Sequence, residues 1–290
     1  MRYQIEHTLR FDYSEPVFLE PHVFNLCPRS DGAQRLITFS LKIDPPPAGV
    51  NSLLDLEGNT ATRAWFMDSH AGLTVTARSV VETTRENAFD FLPEPSFSTL
   101  PKPYAKTLEP LLKPYLARTP LAAVKKFVAP VLKESRKNPL DFLFKLTGKF
   151  HAEFKKLRRE SGAPWSPGKT LSMGVGSCRD LSVLFAVCCR SQGLAARFVS
   201  GYYEADPSIV EKDLHAWVEV YIPGAGWRGY DPLNGLVTAE NHIALAASVD
   251  PSSAAPLTGT FRGSGANGKM TYAVRLTREA MQTHGADAIN

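Results

Sequence analysis

GVGSCRDLSVLFAVCCRSQGLAARFVSGYY, residues 174–203, followed by HAWVEVYIPGAGWRGYD, residues 215–231, is the stretch on which the reading of this chain turns. After SGAPWSPGKTLSMGVGSC, residues 161–178, which reads as a loop, the periodicity becomes helical. Leu181, Leu184, Phe185 and Cys188 fall on one face, and Gly193 stands where a left-handed residue would stop the helix. Three strand-like runs follow at 195–203, 215–222 and 226–231, with PGAG at 223–226 as the turn between the last two. One helix ahead of an antiparallel meander is an α+β pattern.

Working outward toward the N-terminus, residues 120–134 and 139–157 carry helical apolar spacing. Pro130 is expected to kink or end the first, and Gly148 to mark a break in the second. The basic cluster Lys155, Lys156, Arg158 and Arg159 reads as a solvated helical or extended edge. Before these helices lies the Pro-rich LPEPSFSTLPKPYAKTLEP at 92–110, the best candidate for a domain boundary. Ahead of it the period is two. Tyr3, Ile5, His7, Leu9, Phe11 and Tyr13 share one parity, ITFSLKI at 37–43 and GLTVTARSVV at 72–81 alternate likewise, and LEGN at 56–59 reads as a hairpin turn. The expected organisation is therefore an antiparallel β domain over 1–91, a Pro-rich linker over 92–110, and an α+β domain over 111–290 that ends in a C-terminal strand around TYAVRLT, 271–277.

Composition narrows the function. The 290 residues are 43% hydrophobic, which excludes a disordered chain, and 33 Lys+Arg against 29 Asp+Glu leave a net +4 with no basic block, so no nucleic-acid partner is expected. The opening residues form neither a signal peptide nor an anchor, and no segment reaches 18 uninterrupted apolar residues, so the expectation is a cytoplasmic protein without a membrane partner. Cys27, Cys178, Cys188 and Cys189 lack both the density of a disulfide scaffold and the CxxC spacing of a structural zinc site. No cofactor or metal is expected.

Cys178 is the residue with an address. At the first turn of an apolar helix, unpaired backbone N–H groups and the positive end of the helix favour a thiolate over a thiol, and those groups could also hold an oxyanion. The competing reading is a thiol packed in a core, as for Cys188 and Cys189. His215 changes the balance, because it opens a strand on the face shared by Trp217, Glu219 and Tyr221, away from the simplest apolar core, and can serve a thiol as base and ion-pair partner. The next strand ends in Asp231. Counting from a turn centred between Gly224 and Ala225 sets His215 opposite Asn234, and a small bulge or slip brings Asp231 within reach to fix the imidazole. Trp217 and Trp227 either wall the cleft or pack structurally. Zinc on Cys178, His215 and Asp231 is a weaker reading, because such a site wants a fourth ligand or a bound water. His7, on the apolar parity of its strand, is given no function.

The blocks GSCRD, HAWVEV and GYDP, in that order, resemble the bacterial transglutaminase-like superfamily, a set of papain-fold cysteine enzymes. YQIEHTLRFDYSEPV, CPRS at 27–30 and DLEGN at 55–59 resemble the β-sheet N-terminal region that accompanies this core. The likeness implies a papain-like core with its nucleophile at a helix N-terminus packed on an antiparallel sheet. It places the catalytic Cys, His and acid on Cys178, His215 and Asp231, and implies a thioester acyl-enzyme formed from a peptide or protein substrate's carboxamide or peptide bond. Water as the second reactant makes a cysteine protease or amidase, the preferred reading; an amine makes a transglutaminase; a non-catalytic scaffold is the third possibility. Arg179 and Asp180 follow the nucleophile where better-known transglutaminases have an aromatic residue, which leaves specificity open. Trp165, Thr170 and Ser172 are all candidates for the second oxyanion donor.

Overall fold

The computed structural model describes residues 1–101, 103–159, 162–263 and 265–279. Six strands open the chain: β1 (Arg2–Leu19), β2 (His22–Phe24), β3 (Gln34–Asp44), β4 (Gly49–Leu54), β5 (Thr60–Trp65) and β6 (Ser69–Thr83). Four longer helices follow, α1 (Ala122–Glu134), α2 (Pro139–Glu153), α3 (Pro167–Met173) and α4 (Cys178–Ser191). The remaining main strands are β7 (Ala196–Tyr203), β8 (Leu214–Ile222), β9 (Gly226–Asp231), β10 (His242–Ser248) and β11 (Gly268–Glu279). This is the α+β architecture expected, an antiparallel β region followed by a helix-and-sheet core. Among the described residues no helix is long and apolar enough to cross a membrane.

Alternation in β1 does what its parity predicts: Tyr3, Ile5, His7 and Leu9 are buried and the intervening residues are not. β1 pairs with β6 on one side and, on the other, with β11 from Arg2–Glu279 to Tyr13–Gly268 and with Phe261–Arg262 at its far end. The strand expected near the C-terminus therefore forms, and it lies in the first sheet between β1 and the short strand Glu211–Lys212. Strand-like alternation identifies a strand without naming its neighbour. Residues 280–290 of the expected second domain lie outside the described residues.

Neither residue expected to interrupt a helix ends it. α1 runs through Pro130 and α2 through Gly148. Both residues are exposed, so the proline ring meets solvent and the helix loses one hydrogen bond, while Val124, Val128 and Val131 stay anchored in the core. The glycine costs only about 1 kcal/mol of propensity, set against the buried Leu146, Thr147 and Phe150 around it. Asn138 starts α2 by accepting the Asp141 N–H at 3.0 Å. Beyond it, Lys155–Lys156 form an extended edge paired in parallel with Val175–Gly176.

The main core lies between α1, α2, α4 and one face of a five-stranded sheet ordered Leu236–Val237, β9, β8, β7, β10. Phe142, Phe150, Leu184 and Phe185 meet Val218, Val220 and Tyr230 there. The Pro-rich stretch is part of this packing and not a spacer. Phe97, Leu100 and Tyr104 are buried in the core, and the Tyr104 hydroxyl donates to Tyr221 O at 2.7 Å while accepting from Ala195 N at 2.9 Å.

The N-terminal strands hold the outer edge of the five-stranded sheet. Tyr3, Ile5, Val81 and Leu276 pack against Tyr202, Ile243 and Leu245. Two buried amides then bond the edge strand β10 as a neighbouring strand would. Gln34 donates to Ala244 O (2.9 Å) and accepts from Ala244 N (2.7 Å), and Asn59 does the same with Ala247 (2.8 Å each). An otherwise open sheet edge is thus satisfied by side chains. The Trp217 face of β8 lies away from the main core, as expected, but coverage on this side gives it apolar packing of its own. Trp217 is 2% exposed and packs with Val199, Ala244 and Ala247.

Candidate active site

α3 ends at Gly174, whose φ of 62° is the left-handed turn that redirects the chain toward the next helix. Ser177 and Asp180 then form a capping box at the start of α4, with Cys178 as its first residue. Asp180 is fully buried, and its carboxylate gathers the surrounding loops. Oδ2 accepts from Ser177 N (2.9 Å) and Oγ (2.7 Å), and Oδ1 accepts from Trp165 N (2.7 Å) and Arg159 Nη1 (2.6 Å). Burial disfavours this charge, but the four donors outweigh it and hold the Asp180 carboxyl below its ordinary range.

His215 and Asp231 meet through the β8–β9 register. Ile222 lies opposite Gly226 and Val218 opposite Tyr230, so the hairpin is centred on Gly224, half a residue earlier than the sequence count placed it. That shift is a one-residue slip from the counted pairing, and it sets Asp231 on the His215 face as its diagonal neighbour without a bulge. His215 Nε2 lies 2.7 Å from Asp231 Oδ2, which leaves the ring's Nδ1 for the thiol. Burial works against a charged imidazole, but the Asp231 carboxylate overrides it, with Cys178 adding a smaller contribution, and His215 is raised from 6.5 to about 10. Asp231 is correspondingly held far below the usual carboxylate range despite its burial.

Asp231 has more partners than sequence reasoning supplied. Asn234 Nδ2 donates to Oδ2 at 2.8 Å, while the N–H groups of Leu233 (3.0 Å) and Asn234 (3.2 Å) donate to Oδ1. His242, at the head of β10, sets Nε2 3.3 Å from Oδ2 and stacks on Tyr203 with ring centroids 4.5 Å apart. Burial lowers the His242 pKa, and its buried Nδ1 has no partner, which fits a neutral ring protonated on Nε2. The signal for His242 in the sequence is one polar residue opening the apolar run IALAA; its role depends on the sheet order, which the run does not reveal. His215, Asp231 and His242 keep ligand-capable atoms within 4.8 Å of one another, and both rings use the nitrogen facing Asp231 to bond it. The atoms these three residues would offer a metal are thus hydrogen-bonded to one another.

A cavity of about 350 Å³ opens beside Cys178 and His215, with Pro164, Phe198, Leu214 and Ala254 in its lining. Cys178 is the only partly exposed cysteine of the four. Burial pushes the Cys27 thiol up to about 11, and those of Cys188 and Cys189 far above their ordinary value. Neither Trp217 nor Trp227 lines the cavity. Trp227 packs against Tyr115 and Tyr221 with the Arg197 guanidinium 4.2 Å from its ring, so both tryptophans follow the packing reading. Of the proposed oxyanion donors, Trp165 N is committed to Asp180, Thr170 Oγ1 bonds Ser166 O and Ser172 Oγ bonds Lys169 O, and none of the three lines the cavity.

Comparison with known proteins follows the same division. Residues 3–82 match the bacterial transglutaminase-like N-terminal region, and residues 126–232 match the transglutaminase-like superfamily. An uncharacterised protein of Mycobacterium tuberculosis is 26% identical over 289 residues, covering 89% of this chain and 87% of its own. One of Mycobacterium leprae is 27% identical over 288 residues, covering 96% and 99%. A crystal structure from Cytophaga hutchinsonii, provisionally assigned to the cysteine proteases, superposes with a TM-score of 0.72 at 18% identity, covering 97% of this chain and 92% of that one; the likeness is one of fold. Two matches in sequence order, one on the N-terminal sheet and one running from within α1 to the end of β9, place residues 126–232 in the transglutaminase-like superfamily, behind a bacterial transglutaminase-like N-terminal region over 3–82.

Proposed function

We propose that this protein is a cysteine-dependent hydrolase of peptide or amide bonds that works through a thioester acyl-enzyme. One observation carries the reading: the only partly exposed cysteine opens a helix and shares a cavity with a histidine whose far ring nitrogen is held by a buried carboxylate. In the proposed cycle the Cys178 thiolate attacks the acyl carbon, forming the C–S bond, while first-turn N–H groups of α4 stabilise the oxyanion. The His215 imidazolium gives its proton to the leaving nitrogen as the C–N bond breaks. Neutral His215 then takes a proton from water, hydroxide adds to the thioester, and the carboxylic acid leaves as the thiolate re-forms. Asp231 holds the ring and favours its charged form.

The partial exposure of Cys178 supports water as the second reactant. An amine in its place would give transfer from the same acyl-enzyme. The test is incubation with a mixed peptide library and a labelled primary amine, read by mass spectrometry beside Cys178→Ala. Free-acid products that vanish in the variant are expected. Labelled amide products would reassign the chemistry to transfer, and cleavage unchanged by Cys178→Ala would refute the mechanism.

A further inference from the structure

The cavity beside Cys178 has two walls from distant parts of the chain. One is Gly162–Pro164, tied by Arg159 Nη2 to Ala163 O at 3.0 Å and by the Trp165 N–H to Asp180. The other is the loop Pro251–Pro256, which lies beyond the 126–232 core match. Ser200 Oγ holds this loop from the core sheet by donating to Ala254 O. The N-terminal strands hold it from the other side. The Asn25 side chain, 4% exposed, donates one bond to Ser253 O (3.0 Å) and one to Ala255 O (2.9 Å), and its main-chain N–H donates to Pro256 O (2.9 Å). Leu257–Thr258 then pair with Val23–Phe24. Both amide hydrogens of one buried asparagine are therefore committed to the backbone of the loop that closes the cavity.

The floor between these walls is apolar: Phe198, Ala216 and Ala254 pack together with Cys178 against them. Apart from Cys178 and His215, Arg179 is the only ionisable side chain in the lining, and among the described residues no carboxylate faces the cavity. A Lys or Arg side chain entering here would be desolvated with no counter-charge, whereas an aliphatic one would exchange water for apolar contact. About 350 Å³ is at the small end of ligand pockets, enough for one modest side chain beside the scissile group.

We propose that this cleft is the subsite for an uncharged aliphatic side chain of the acyl donor, and that Asn25, from the N-terminal strands, is the residue that positions its outer wall. The N-terminal region then contributes to substrate selection by the core as well as to its stability. This inference rests on the reading of Cys178 as the nucleophile.

The test uses the full chain and dipeptidyl vinyl sulfones that vary in either side chain, with iodoacetamide as a reference that carries none. Rates of Cys178 modification are followed by mass spectrometry. At one of the two positions Ala, Val and Leu probes are expected to react at least tenfold faster than Lys probes, since even a single methylene is worth about 10–200-fold in an apolar site. Ala254→Val, which adds bulk to the floor, should lower the Leu-to-Ala rate ratio by about tenfold or more. Asn25→Ala should bring aliphatic and Lys probes closer together relative to iodoacetamide, an effect that general destabilisation does not produce. Lys probes reacting as fast as Leu, or ratios unmoved by both substitutions, would overturn the inference while leaving Cys178 as nucleophile. Failure of every reagent to modify Cys178 would overturn both readings together.

Discussion

Replacing Asp231 by Asn tests the centre of the site with the smallest change in shape. In the native fold Oδ2 accepts from His215 Nε2 (2.7 Å), Asn234 Nδ2 (2.8 Å) and His242 Nε2 (3.3 Å), and Oδ1 from the N–H groups of Leu233 (3.0 Å) and Asn234 (3.2 Å). An asparagine offers only one of those two oxygens. If it keeps the side facing His215, its NH₂ meets two backbone donors. If it turns over, the NH₂ meets three side-chain donors. The first arrangement costs less, and two part-buried N–H groups without acceptors amount to about 1–3 kcal/mol in all, where fully buried groups cost about 1–3 kcal/mol each. His215 also loses the charge that raises it most, so its titration falls, with burial opposed only by the smaller contribution of Cys178. Urea unfolding at pH 6 measures the first effect, and an NMR titration of the His215 ring measures the second. A stability within about 0.5 kcal/mol of the unsubstituted protein, or a native His215 that already titrates at or below 6.5, would refute the reasoning.

The same pair sets a pH dependence. His215 is raised above its unfolded value of 6.5, so its contribution is complete below pH 6.5 and is lost as pH rises toward about 10. Asp231 is lowered, so its contribution is complete above 3.8 and is lost as pH falls below that value. The difference in unfolding free energy between the native protein and His215→Gln should therefore shrink from pH 6.5 to 10; a difference constant over that range contradicts the pairing. Asp180→Ala leaves Arg159 and the Trp165 N–H without their shared acceptor and should destabilise by about 3–5 kcal/mol, with hydrogen exchange accelerated first around residue 165. A variant that unfolds at the native urea concentration counts against that role. Asn59→Ala unpairs one N–H and one C=O of β10, and Gln34→Ala one N–H, because Ala244 O keeps the Arg29 N–H. They should cost about 2–6 and about 1–3 kcal/mol respectively if no water enters, with exchange rising at Ala247 and at Ala244, and exchange unchanged at those amides would disprove the edge-capping account.

How much of this was legible in the sequence can be judged residue by residue. Periodicity along 1–13 and 178–193 is a local property, since a strand or helix exposes one face to one environment, and the structure bears out both elements. The expected position of Cys178, at the head of an apolar helix, is likewise the one observed, because the loop, the cap and the apolar spacing lie within a few residues of one another. Pro130 and Gly148 were misread for the opposite reason: whether a helix survives them depends on the packing of its other face, which local propensity does not contain.

What only the tertiary structure decided is who meets whom. One residue of register at the 222–226 hairpin separates an Asp231 on the wrong face from one 2.7 Å from His215. His242, Asn25, Gln34 and Asn59 look unremarkable in the chain and acquire their roles from partners 11 to 230 residues away. β11 could be identified as a strand from its alternation, yet its place beside β1 is set by pairing across the length of the chain. The sequence by itself determined the type of the strongly periodic elements and the α+β order, and proposed the three residues of the candidate site, while the short helix Pro167–Met173 lies in a stretch that reads as a loop. Long-range pairing determined the sheet that receives the last strand, the register that joins histidine to carboxylate and the wall that closes the cavity. Those depend on burial shared between distant segments, for which a one-dimensional pattern carries no coordinate.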